Sequence, residues 1–221
     1  MRVAAVQAGA VACDVEGNLG RIDPLLDELG ADGVELAVLP EFFPTGNPLE
    51  ERVLEVAAST FEAVEGWLAR RSRETGMVLA GSYVALEGGR AWNRFSVFEP
   101  EGRRAHRHKA SSPAPEALYY EPAESSDPVV ETGVGKVGLV MCIEMSEPEV
   151  VLADFRDCAI VLVCFAIPGA LPIPGRIVRR LTSVPPALGR RNGVPVALCS
   201  MGGEFATRGS PVLPMRRRCP Y

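Results

Sequence analysis

The sequence predicts an α/β layered fold with strands of mixed direction, and three observations carry that reading. Short apolar runs of strand length alternate with stretches of helical periodicity. Two of the runs flank Gly88 and Gly89, a hairpin signal that adds antiparallel pairing to the sheet. At 221 residues the chain is long enough for one sizeable domain with a substantial core and short for two, so a single domain over 1–221 is expected.

Taken in order, residues 2–7 read as a first strand. Residues 18–29 follow as a helix with Ile22, Leu25, Leu26 and Leu29 on one face, a pattern that tolerates Pro24 only near the helix start. A second strand covers 34–39 and ends on Pro40 and Glu41. The stretch 54–75 is helical and closes on Gly76. Strands at 77–85 and 91–98 form the hairpin. Residues 99–136, rich in charge, proline and glycine, read mostly as loop with short extended pieces. The apolar run Val137–Met141 is a strand that ends on Cys142. Beyond it the pattern gives a helix over 147–156, a strand at 159–165, a proline-broken loop at 168–174 and a helix at 176–191. A strand at 194–200 and an extended piece near 209–215 complete the chain.

Composition bounds the function. Hydrophobic residues make up 47% and charged residues 23%, ordinary values for a globular chain. A net charge of −5 argues against nucleic acid as the main partner, although Arg216, Arg217 and Arg218 make a small basic tail. The six cysteines, at 13, 142, 158, 164, 199 and 219, form no CxxC pair and mostly lie in apolar runs, as expected of buried thiols in a reducing cytoplasm. The opening MRVAAVQAGAVAC is short, is broken by Gln7 and Gly9 and has one basic residue, so it reads as a core strand and not as a signal peptide. No segment has the length and apolarity of a membrane span.

Three polar residues stand where apolar strands end or loops begin: Glu41 in LAVLPEFFPTG, Lys109 in RHRHKASSPAPE and Cys142 in VGLVMCIEM. A free thiol, with a pKa of about 8.5, needs a base to take its proton or a cation to stabilise the thiolate. Glu41 supplies the first and Lys109 the second. Lys109 would also face an oxyanion, together with the backbone N–H of Ile143. Singly, each has a plain alternative: a packed cysteine, a turn carboxylate, a solvated loop charge. The joint pattern separates them from these alternatives. His106 and His108 have HxH spacing, but no further ligand stands near them in sequence, so neither a metal nor an organic cofactor is predicted.

In these residues the chain resembles the nitrilase superfamily of carbon–nitrogen hydrolases. The resemblance runs through AVLPEFFPTG, GSY with WNRFSVFEPEG, HRHK, VGLVMCIEMSEPE and ALGRRNGVPVALCSMGGEF, in that order and over nearly the whole chain. It implies a four-layer α/β/β/α sandwich of two mixed sheets flanked by helices. It also implies Glu41 as general base, Lys109 as oxyanion stabiliser and Cys142 as the acylated nucleophile. A second glutamate in the loop after the lysine is best matched by Glu116, with Glu121 and Glu124 as rivals. Glu144 matches an acidic position that orders the loop or edges the pocket, and Phe43, Ile143, Phe165 and Ala166 would line that pocket. The expected activity is hydrolysis of a small amide-type substrate, amidase rather than nitrilase, by a homodimer without cofactor. A non-catalytic binding relative and an acyltransferase using the same triad are the alternatives. The chain departs from the family pattern at Ser111, where a histidine is usual, at Cys164, where proline is common, and after RGSPVLP. There it stops with MRRRCPY, where the family continues into further strands and a tail that helps pair subunits.

Overall fold

The computed structural model describes residues 1–221 except 48, 114–115, 126, 167–174, 203, 206–212 and 215–221. Two sheets form its centre. The first has five strands in the order β1 (Val3–Ala5), β2 (Leu36–Val38), β3 (Val78–Glu87), β4 (Arg90–Phe98) and β5 (Arg104–His108). Its first three strands run parallel, and β3, β4 and β5 pair antiparallel. The second sheet has the order β6 (Val129–Thr132), β7 (Gly135–Met141), β8 (Cys158–Phe165) and β9 (Val196–Ser200). Here β6 is antiparallel to β7, and the other neighbours are parallel. A two-residue pair, β10 (Glu204–Phe205) with β11 (Leu213–Pro214), lies apart.

Burial shows how the layers stack. Leu36, Val38, Phe95 and Val97 of the first sheet pack against Val137, Leu139, Met141, Ile160 and Leu162 of the second, so the two sheets share one apolar interior. On the outer face of the first sheet, α1 (Val15–Ala31) and α2 (Arg52–Thr75) bury Ile22, Leu26, Trp67 and Leu68. On the outer face of the second, α3 (Pro148–Val151) and α4 (Gly175–Asn192) bury Val150, Leu181 and Leu188 against β7 and β8. This is the α/β/β/α sandwich that the resemblance implies. Among the described residues no helix is long and apolar enough to cross a membrane.

Two local readings differ. Helix α1 begins at Val15, where Asp14 accepts the Gly17 N–H, so Pro24 falls inside the helix and not near its start. The helix expected over 147–156 shrinks to a 3-10 turn at Cys142–Ser146 followed by the single turn of α3. Phe155 explains this: its N–H is held by Asn192 Oδ1 at 3.1 Å and its side chain is fully buried, so the chain must leave the helix to deliver it. Within 99–136 the short extended pieces expected there are β5 and β6, and neither RAHRH nor VVET carries a regular apolar alternation. The expected loop at 168–174 lies outside the described residues, as does most of the piece near 209–215.

The topology brings the ends of β2, β5, β7 and β8 together. Glu41 follows β2, Lys109 follows β5, Cys142 follows β7 and Ala166 follows β8. The loop after β2 is pinned to α1 by the buried Asn18, whose amide donates to the Pro44 carbonyl at 2.7 Å and the Val11 carbonyl at 2.8 Å. Behind it, Gly81 on β3 leaves no room for a side chain, since a Cβ there would lie 2.9 Å from Leu39 Cβ and 3.0 Å from the Phe43 ring. Gly81→Ala is therefore expected to cost about 1–3 kcal/mol through overpacking, read as a lower urea midpoint at unchanged slope.

Candidate active site

Lys109 has no exposed surface, and neither has Glu41. A buried ammonium is tolerable only when it is paired and its donors are satisfied. Lys109 Nζ donates to Glu41 Oε1 at 2.9 Å and to Glu116 Oε2 at 2.7 Å. Burial alone would lower its pKa, but Glu41 and Glu116 together hold it well above the ordinary lysine value. The ammonium is a fixed charge at neutral pH.

Glu41 is held at both oxygens. Oε1 also accepts from Asn93 Nδ2 at 2.9 Å, and Oε2 accepts the Ala166 backbone N–H at 2.9 Å. Asn93 is oriented in turn by Ser82, whose hydroxyl donates to Asn93 Oδ1 at 2.5 Å. Burial, with Glu41 adding to it and Lys109 opposing, raises Glu116 to about 7, so this carboxyl titrates near neutrality. Its rivals Glu121 and Glu124 are exposed.

Cys142 sits where β7 breaks into the 3-10 turn, with φ at +44°. A non-glycine residue in the left-handed region carries local strain and re-aims its side chain at a strand end. The pKa of the Cys142 thiol is pushed well above the ordinary value, first by burial and then by the nearby Glu41 carboxylate, with Lys109 opposing. Cys142 therefore rests as a neutral thiol.

The turn at Cys142 is anchored by Glu144, which is fully buried. Arg107 on β5 grips it with Nη1 to Oε2 at 2.7 Å and Nη2 to Oε1 at 2.9 Å. The backbone N–H groups of Ala110 and Met141 also donate to it, at 2.8 and 2.9 Å. These four bonds take up its acceptor sites and tie the turn after β7 to β5. Ser111, at the position where the family carries histidine, donates to Glu147 at 2.8 Å.

The four expected lining residues divide. Ile143 is partly exposed beside Cys142. Ala166 contributes its N–H to Glu41 and packs with Phe42 and Tyr120. Phe43 lies in the helix-side core of the first sheet, against Trp67 and Tyr83, and Phe165 lies in the helix-side core of the second. Phe42, with φ at +54°, turns the other way and stacks on Tyr120 at 5.2 Å. Cys164 is buried between the sheets.

Sequence reasoning did not single out Asn93 or Arg107. A signal existed for both. Asn93 shares a face of β4 with Phe95 and Val97, and Arg107 shares a face of β5 with Lys109, so each is a polar residue aimed at an apolar interior.

Comparison with known proteins agrees with this geometry. The family model described as carbon-nitrogen hydrolase matches residues 2–203. A nitrilase of Pyrococcus abyssi is 28% identical over 152 residues, which is 67% of this chain and 58% of that protein. An omega-amidase of Danio rerio is 29% identical over 140 residues, 58% of this chain and 50% of that protein. The chain thus spans about half the length of the curated relatives it matches, 58% and 50% in these two cases. Among solved structures, the NitN amidase of Nesterenkonia sp. AN1 superposes with a TM-score of 0.79 at 26% identity, covering 97% of this chain and 82% of that one. The matched model spans most of the sequence, including Glu41, Lys109, Glu116 and Cys142. The chain belongs to the carbon–nitrogen hydrolase family.

Proposed function

We propose that the chain hydrolyses a non-peptide carbon–nitrogen bond of a small amide through a cysteine acyl-enzyme. One observation carries the reading: the Glu41 carboxylate, locked on the buried Lys109 ammonium at 2.9 Å, lies close enough to the Cys142 thiol to push its pKa up. A neutral thiol beside an oriented carboxylate is the starting arrangement for general-base attack.

In this mechanism Glu41 takes the thiol proton as Cys142 Sγ attacks the carbonyl carbon. Lys109 and the Ile143 N–H stabilise the oxyanion. Glu41 returns the proton to the leaving ammonia or amine, which departs as the tetrahedral intermediate collapses to a thioester. Water, deprotonated by Glu41, then releases the acid and restores the thiol. Glu116 holds Lys109 and shares its charge. Amide substrates are preferred over nitriles in this reading, and the amidase neighbours support that choice, although the relatives include nitrilases. One Nesterenkonia amidase variant, 25% identical to this chain, shows Michael addition of acrylamide at its active-site cysteine, which makes acrylamide a suitable probe here.

The test is ammonia release from a panel of small aliphatic amides. Cys142→Ala is expected to abolish turnover and covalent labelling by acrylamide, and unchanged turnover refutes the mechanism. Glu41→Gln is expected to lower kcat/KM by about 10²–10⁴-fold, the usual worth of a positioned base. Products formed in the presence of an added amine distinguish hydrolysis from acyl transfer.

The raised carboxyl of Glu116 also predicts a stability profile. Its ordinary value is 4.5 and its folded value about 7, so between these the folded state holds a proton that the unfolded state has lost. The contribution is fully present below pH 4.5 and disappears as pH rises through about 7. Wild type is expected to lose stability relative to Glu116→Gln across that window, measured by urea unfolding at successive pH values.

A further inference from the structure

We propose that Glu87, His106 and His108 form a binding site for one transition-metal dication of the zinc class, on the opposite face of the first sheet from Lys109. The HxH pair lacks a third ligand in sequence, and the β3–β4 hairpin supplies it. On β5 the side chains alternate: Arg107 faces the second sheet, so His106 and His108 share the other face. Glu87, at the end of β3, reaches the same face across β4.

One ligand atom from each of the three residues lies within 4.8 Å of the others. His108 Nε2 and Glu87 Oε2 are 3.3 Å apart. That is the edge expected between two ligands of a tetrahedral ion with bonds of about 2.0–2.1 Å. The two imidazoles stand side by side with ring centres 5.6 Å apart, and Trp92 stacks on His108 at 4.7 Å, which fixes its ring. Two histidines and a carboxylate suit a zinc-class ion, and the exposure of Glu87 and His106 leaves the fourth position to water.

Arg94 competes for the site. Its Nε–H donates to His108 Nε2 at 3.2 Å, its Nη2 pairs with Glu87 Oε1, and its Nη1 donates to Glu65 at 3.0 Å. A metal entering at His108 displaces only the first of these contacts. Arg94 keeps Glu65 and the second oxygen of Glu87, so the carboxylate would bridge ion and guanidinium, with Arg94 as an outer-shell donor. An ion bound here ties β3 to β5 across β4. Asn93, which holds Glu41, lies on β4, and Lys109 directly follows His108. The ion would therefore brace the strands that deliver both groups without touching them.

The experiment uses tag-free full chain, stripped with chelator, and titrates in zinc chloride by calorimetry and cobalt chloride by absorption. One equivalent is expected to bind and raise the Tm. The cobalt spectrum is expected to lack a thiolate charge-transfer band, since no cysteine takes part. His106→Ala and Glu87→Gln, both at exposed positions, are each expected to weaken zinc binding at least about tenfold while leaving the metal-free far-UV spectrum unchanged. Arg94→Gln is expected to tighten it. Absence of saturable binding at millimolar zinc overturns the proposal, as does binding that His106→Ala and Glu87→Gln leave unchanged, or a cobalt spectrum dominated by thiolate.

Discussion

Placing a lysine ammonium where no water reaches it constrains everything around it. Lys109 is buried completely, and the interior accepts its charge because Glu41 and Glu116 both meet it at hydrogen-bond distance. That requirement fixes the loop after β2, the end of β5 and the short 3-10 turn at Glu116–Leu118 relative to one another. It also fixes Asn93 and the Ala166 N–H, because Glu41 must be satisfied at both oxygens before it can serve as a partner. The geometry around the thiol is thus set by the cost of unpaired charge.

The electrostatic consequence is a division of labour between two carboxylates on one cation. Glu41 bears more strongly on the thiol, while Glu116, pushed up to about 7, adjusts the net charge of the cluster near neutrality. Protonating Glu116 removes one negative charge from the cluster, and a thiolate is then easier to form, since one fewer anion faces it.

Most of the architecture was legible because it is written in apolar periodicity. Val137–Met141, the 91–98 strand and the long helix ending at Gly76 all carry strong patterns, and the structure keeps them. Glu41, Lys109 and Cys142 were legible because each ends an element where the pattern breaks. What escaped was polar structure serving a polar purpose. Strand β5 reads as charge because Arg107 and Lys109 are needed inside, and the helix after Cys142 is shorter than its composition suggests because Phe155 is required in the core. The choice of Phe42 over Phe43 as the ring beside Tyr120 also escaped. It depends on a positive φ at Phe42, which no spacing rule encodes.

The Arg107–Glu144 pair joins β5 of one sheet to the turn after β7 of the other, while Lys109 and Cys142 occupy the same two segments. Glu41 and Lys109 are thus carried by one jaw and Cys142 by the other, and a forked ionic clasp sets the gap between them. Reaction geometry then depends on how the sheets seat against each other. Substitutions far from the thiol, among the apolar side chains between the sheets, would tune the approach of sulfur to carboxylate as directly as changes beside it. In this molecule the shared apolar interior acts as the alignment mechanism of the site as well as its support.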